Sequence, residues 1–204
     1  MIIYILALLI IVVVARSIVI VPQAYAFVVE RFGIFDNVWN AGFHFKIPFI
    51  TRIAKRVSLK EITLTNDKQK INDQLGNPVI IGTVVIWHVT DPAKAVFNVD
   101  NYKEFLSLQC DTSLRNIVRL YPYDVAPGVD TTGDGLADDG SLRGSSEVVA
   151  ARIKEEIQSR VDEAGIEIVE ARITHLAYAP EIAAVMLQRQ QASAIIDARK
   201  MIVD

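Results

Sequence analysis

The sequence predicts an α+β fold, and three observations carry that prediction. Residues 79–89 alternate Val79, Ile81, Thr83, Val85, Trp87 and Val89 against a second face of Ile80, Gly82, Val84, Ile86 and His88. A strand apolar on both faces belongs in the middle of its sheet. Two later segments carry apolar residues at helical spacing: Tyr102, Phe105, Leu106, Leu114, Ile117 and Val118, then Val149, Ile153, Ile157 and Val161. Strand-like runs fill the first ninety residues and helical patterns most of the rest, with no regular strand–helix alternation. That segregation marks α+β and not α/β.

The chain opens on an apolar run from Ile2 to Ala15, broken only by the Tyr4 hydroxyl. The run resumes at Ile18-Val19-Ile20-Val21 after Arg16 and Ser17, and Pro22 ends it. As one helix, residues 2–21 would rise about 30 Å, the thickness of a hydrocarbon core, with Arg16 near one end where its head group reaches the interface. Residues 1–21 are therefore expected to be a membrane anchor. A cleaved secretory signal fits less well, because no Lys or Arg precedes the apolar stretch and cutting at Ala24-Tyr25-Ala26 would remove part of a strand-like run. A buried core helix would need a polar face, which the run lacks.

Next, Gln23 to Phe32 reads as a strand with Tyr25, Phe27 and Val29 on one face, and Gly33 permits a turn. The aromatic run Ala41 to Phe49 is interrupted by Pro48, which cannot donate to a sheet ladder. Residues 53–65 read as another strand, 66–69 as turn-like, and Gly76-Asn77-Pro78 as a stronger turn before the central strand. Asp91-Pro92 opens a short helix, with Asp as cap and Pro in the first turn. Asn101 and Glu104 resemble a capping box for the helix through Val118. A further helix starts at Ser145 or Ser146 and stops at Gly165; residues 166–176 are β-rich, and Pro180 starts a last helix that runs to Asp204.

Net charge is only −3, but it is unevenly spread: +5 over residues 31–70 and −8 over residues 71–204. Positive charge close to an anchor favours an anionic leaflet and a domain on the cytoplasmic side. Nucleic acid is not an expected partner, because the basic residues lack interleaved aromatics and the chain is acidic overall. Cys110 stands alone, which excludes an internal disulfide and a cysteine-based zinc site. His44, His88 and His175 each fall in a separate strand-like run, with no metal-ligand spacing on one helix.

Several of these segments together resemble the SPFH (Band 7) domain family of stomatins, prohibitins, flotillins and Hfl-type regulators of membrane proteases. The residues concerned are Val21-Pro22-Gln23, Val28-Val29-Glu30-Arg31-Phe32-Gly33, Ala41 to Phe49, the central strand, Asp91-Pro92, and Tyr178-Ala179-Pro180-Glu181-Ile182 leading to Arg189-Gln190-Gln191-Ala192. The resemblance covers residues 20–204. It implies an N-terminal membrane helix and an elongated domain with an antiparallel sheet and packed helices. It also implies a C-terminal coiled-coil helix that builds large rings or domes. On that reading residues 22–120 and 121–179 are two subdomains and 180–204 the start of the coiled coil. The resemblance implies a scaffold without catalytic residues or cofactors. Its partners would be the lipid bilayer, further copies or a paralogue, and an AAA+ membrane protease, a channel or an NfeD-type protein.

One stretch stands apart from that pattern, the acidic loop 128–141. Read as a calcium loop, Asp130, Thr132, Asp134, Gly135 and Asp138 would fill positions 1, 3, 5, 6 and 9, but position 12 is Ser141 where a bidentate carboxylate is needed. A solvated acidic loop is the expectation, with no metal. In the last helix Ile182, Val185, Arg189, Ala192, Ile196, Arg199 and Val203 follow 3-4 spacing, with two arginines in the seam. The leading reading is thus a membrane-anchored oligomeric scaffold that organises a membrane patch. A membrane-associated protease is the first alternative, although no Ser-His-Asp, His-Glu-x-x-His or Cys-His arrangement supplies a nucleophile or metal water. An extracytoplasmic calcium-dependent binding module is the second.

Overall fold

Helix α1 (Ile2–Ser17) gives way to strand β1 (Ile18–Val21) in the computed structural model, which describes residues 2–124 and 140–203. The expectation of one continuous helix over residues 2–21 is therefore corrected. The β-branched run Ile18-Val19-Ile20-Val21 favours an extended backbone, and here it finds a partner strand. Ser17 marks the change: its hydroxyl donates to the Val13 carbonyl at 2.8 Å, and its own carbonyl accepts from the Lys46 N–H at 2.6 Å. Sixteen helical residues rise about 24 Å. Among the described residues, no helix is long and apolar enough to cross a membrane.

The chain continues through β2 (Tyr25–Arg31), β3 (Ile34–Trp39), β4 (Gly42–Phe45), β5 (Thr51–Ser58), β6 (Ile62–Asn72) and β7 (Pro78–Val89). Helices α2 (Pro92–Phe97), α3 (Tyr102–Val118) and α4 (Ser146–Val161) follow, then a 3-10 turn (Asp162–Ala164), β8 (Ile166–Tyr178) and α5 (Pro180–Val203). The strands form an antiparallel β1–β4 ribbon, an antiparallel sheet in the order β3-β2-β5, and a sheet in the order β6-β7-β8 with β7 central, as its two apolar faces predict. The α+β class holds.

Two compact units divide the chain, and they are interleaved in sequence. One comprises Met1–Leu64, Ile86–Gln109 and Ile157–Val169; the other comprises Thr65–Val85, Cys110–Glu156 and Glu170–Asp204. A linear reading divides the chain at residue 121, whereas β7, α3, α4 and β8 each supply residues to both units.

In the first unit, Ala26 to Val29 of β2 are all buried, because both faces of that strand are covered. Phe27 and Val29 pack with Val19, Val21, Trp39 and Ile53 on one side. On the other, α2 lies against β2, and Phe97 meets Phe35 edge-on at 5.6 Å between centroids. The Asp91 carboxylate caps α2, accepting from the N–H groups of Ala93 and Lys94 at 3.0 and 3.2 Å. The Gln158 side chain joins the end of α4 to β8, donating to the Ile166 carbonyl at 3.0 Å and accepting from the Ile168 N–H at 2.7 Å.

Gly165 is the tightest point of this unit. Its φ of +64° ends the 3-10 turn in a left-handed conformation, and its carbonyl accepts from the Thr90 and Asp91 N–H groups at 3.0 and 3.1 Å. A Cβ there would lie 2.4 Å from the Asp91 carbonyl oxygen. Gly165→Ala combines a left-handed penalty of about 1–2 kcal/mol with a backbone clash. The expected result is a loss of more than about 2 kcal/mol, read from urea midpoints at constant m value; an unchanged midpoint would contradict this packing.

The second unit buries Val79, Ile81, Thr83 and Val85 of β7, Leu114 and Val118 of α3, and Val149 and Ile153 of α4. Residues 66–69 are not a turn, as their polarity suggests, but the middle of β6. Polar residues stay in strand where tertiary partners satisfy them: the Gln69 side chain donates to the Asp111 carboxylate at 2.6 Å. The turn at Gly76-Asn77-Pro78 forms as expected around the buried Asp73, whose carboxylate accepts from the N–H groups of Leu75, Asn77 and Tyr123 at 2.9, 2.7 and 3.0 Å.

Candidate functional site

The β1–β4 ribbon pairs Ile18 with Phe45, Val19 with His44, Ile20 with Phe43 and Val21 with Gly42. Successive side chains of a strand point to opposite faces. Val19 and Val21 therefore reach the core with Phe27 and Trp39, while Ile18, Ile20, Phe43 and Phe45 face outward, each 45–71% exposed. His44 belongs to the inner face; its ring stacks on Trp39 at 5.1 Å and 5°, and its Nε2 lies 2.7 Å from the Asn40 carbonyl. The outer face has no polar side chain.

Two further aromatic side chains extend this patch. Phe49 is fully exposed with φ +68°, and Phe32 is 76% exposed with φ +53°, beside Gly33 at +80° in the β2–β3 turn. The Phe32 N–H donates to the Ile50 carbonyl at 3.3 Å, which brings the two tips together. Left-handed backbone is uncommon for bulky residues, and exposed turns favour Gly, Asn and Asp there. Phenylalanine at both tips needs a reason outside the domain's own packing. The bond between Lys46 N–H and the Ser17 carbonyl places the end of α1 at the same patch. On α1 itself Ile3, Tyr4, Ile5, Leu6, Leu8 and Ile11 are exposed. A contiguous apolar surface of this extent marks a membrane or partner contact.

The start of α5 is the second notable place. Ala179 is buried and its N–H donates to the Pro78 carbonyl at 2.9 Å. Tyr178 lies on Tyr123 with ring centroids 3.9 Å apart, and Lys70 Nζ meets Glu181 Oε1 at 2.6 Å. The hydrogen bond from Lys70 holds the Glu181 carboxyl below the usual carboxylate range. This clamp is therefore complete at neutral pH and is lost as pH falls through the lowered value. Beyond it Val185, Leu187 and Ile195 are exposed. The side chains of Arg189, Ile196, Arg199 and Val203, four of the seam positions, lie outside the described residues.

The remaining candidates are structural. His88 Nε2 lies 3.5 Å from Glu167, and His175 lies beside Gly82 on the β6-β7-β8 sheet. Burial pushes the Cys110 thiol up to about 12, with Asp111 adding to the shift. Cys110 should resist iodoacetamide in the native protein at neutral pH and react only after unfolding; rapid native labelling, followed by mass, would contradict its burial.

Among the described residues, no group of three or more His, Cys, Asp or Glu side chains could hold a metal ion. Residues 128–139 of the acidic loop lie outside the described residues. Ser141, position 12 of the calcium pattern, is buried, and its hydroxyl accepts from the Gly144 N–H at 2.9 Å. Millimolar calcium is expected to leave thermal stability unchanged, since a ligand of the native state raises it once well above its Kd; a rise of several degrees abolished by Asp134→Ala would contradict the solvated loop.

The apolar patch is hidden in a linear reading, because β1 continues the apolar run of α1 and its partner strand β4 lies beyond two intervening strands. The alternation of Ile18 with Ile20, and of Phe43 with Phe45, is the signal that the sequence does offer.

A family model described as the SPFH domain / Band 7 family matches residues 19–201. An uncharacterized protein of Mycobacterium tuberculosis is 35% identical over 108 residues, which cover 53% of this chain and 28% of that protein. An uncharacterized protein of Methanothermobacter thermautotrophicus is 27% identical over 165 residues, 81% of this chain and 46% of that protein. The human mitochondrial stomatin-like protein 2 is 31% identical over 96 residues, 47% of this chain and 27% of that protein. The matches span less than half the length of each of these relatives.

Proposed function

The chain belongs to the SPFH domain / Band 7 family, and from that premise we propose that it is a membrane-associated scaffold whose subunits assemble laterally and organise other membrane proteins. The outward face of the β1–β4 ribbon carries this reading: Ile18, Ile20, Phe43 and Phe45 continue the apolar surface of α1 onto the folded domain itself. At about 24 Å, α1 dips into the hydrocarbon layer, and the ribbon and its Phe32 and Phe49 tips seat the domain against the same leaflet. The basic bias of residues 31–70 favours the cytoplasmic leaflet. Assembly goes through α5, whose exposed apolar residues are presented from a clamped base. Further copies or a paralogue would provide the ring, and a membrane protease or an NfeD-type protein would be the regulated partner.

The protein acts by position and not by catalysis on this reading. His44 is stacked on Trp39, His88 is paired with Glu167, and Cys110 is buried with a raised pKa, so none of these groups is an activated nucleophile or base. Alkaline carbonate extraction tests the membrane part. The chain should stay in the membrane pellet, and its release into the supernatant would contradict the proposal.

A further inference from the structure

The rim of the apolar patch is cationic, and we propose that this surface selects an anionic leaflet, its lipid headgroups being met by Arg16, Lys46 and Arg52. The inference rests on the membrane reading above and deepens it from membrane contact to lipid class.

From Arg16 to Ser58, the end of β5, the chain holds six basic residues and two acidic ones, Glu30 and Asp36. Three of the six are engaged within the fold. Arg31 pairs with Asp36 at 3.1 Å, Lys55 lies 5.5 Å over the Tyr102 ring, and Arg56 lies 5.0 Å over the Phe27 ring. Arg16, Lys46 and Arg52 remain, and the backbone gathers them around the patch. Arg16 is exposed in the last turn of α1, one residue before Ser17, whose carbonyl bonds to Lys46. Arg52 is exposed and follows Thr51, whose N–H donates to the Ile47 carbonyl across the loop that carries Phe49. Glu30, opposite Arg52 in the β2–β5 register, is the one nearby carboxylate that is not tied to Arg31.

Insertion of the aromatic tips would bring these cations to headgroup depth. Guanidinium groups there bind lipid phosphates in a forked geometry, and all three positive charges lie within a Debye length of the surface. A zwitterionic leaflet offers the same phosphates without net charge, so the distinguishing quantity is preference and not binding alone. Each basic side chain at an anionic surface strengthens association roughly five-fold, and three together roughly a hundred-fold.

The test is a competition. The full chain is transferred from detergent into a mixture of phosphatidylcholine vesicles and denser vesicles containing phosphatidylglycerol, which are then separated and assayed. The natural chain should enrich in the anionic vesicles by roughly a hundred-fold at low salt, and this ratio should fall steeply at high salt. Arg16→Gln/Lys46→Gln/Arg52→Gln should bring the ratio near one. Lys94→Gln/Lys103→Gln/Arg119→Gln, which removes equal charge from exposed positions elsewhere, should keep it. Equal partition of the natural chain, a preference that survives in the rim variant, or an equal loss in the control variant would overturn the inference while leaving membrane binding intact. Failure to enter either vesicle would instead remove the membrane reading and this inference with it.

Discussion

Leu8→Asp/Val12→Asp should move the protein from the carbonate-resistant membrane pellet to the soluble fraction. Both side chains are exposed on α1, so the folded units lose no contact by the change. In hydrocarbon each aspartate costs about 3 kcal/mol relative to the apolar residue it replaces, and two together shift partition by about four orders of magnitude. Ile20→Asp/Phe43→Asp, on the outward ribbon face, should weaken membrane retention less, because each removes only about 2 kcal/mol of apolar burial and α1 remains. The ordering is the informative part. Retention of the α1 variant in the pellet would show that this helix is not the principal contact; unchanged behaviour of the ribbon variant would mean that the domain stands off the bilayer.

The second large effect is expected in assembly. Isolated helices gain most of their stability from packing of an apolar face, and α5 exposes Val185, Leu187 and Ile195 beyond its clamp. A neighbouring subunit's α5 supplies the missing contact on the proposed reading, and confinement to the bilayer raises the effective concentration of subunits much as a tether does. Val185→Asp places a charge in that contact. It should raise the dissociation constant at least roughly ten-fold, from lost valine burial and a desolvated carboxylate. Circular dichroism of the variant should match the parent, because Val185 makes no core contact. Crosslinking in membranes that yields the same ladder for parent and variant would contradict a role for α5 in assembly.

Much of the fold is legible in the residues because local and tertiary preferences agree there. Asp91-Pro92, Gly76-Asn77-Pro78, Gly165 and the spacing-four stripe Val149, Ile153, Ile157, Val161 each sit where their local chemistry places them. Three departures share one cause, a long-range partner invisible in a local window. Ile18 to Val21 look helical because they continue an apolar run, and become strand because Gly42 to Phe45 lie alongside. Asn66 to Gln69 look turn-like because they are polar, and stay in strand where Asp111 engages Gln69. Residues 34–39 carry Asp36 and Asn37 in the middle of β3, which weakens the strand pattern, yet Arg31 pairs with Asp36 and the β2 ladder holds the segment. The apolar surface is half legible. Its helix is plain in the sequence, but the ribbon face exists only once two distant segments pair.

The mass of the particle extracted from its own membrane in mild detergent tests the scaffold most directly, since association with a bilayer alone would be shared with many monomeric proteins. Light scattering with the detergent contribution subtracted should give many times the 22.7 kDa contributed by each copy of these 204 residues. A mass corresponding to one chain, at concentrations where the parent membrane holds it densely, would contradict the account.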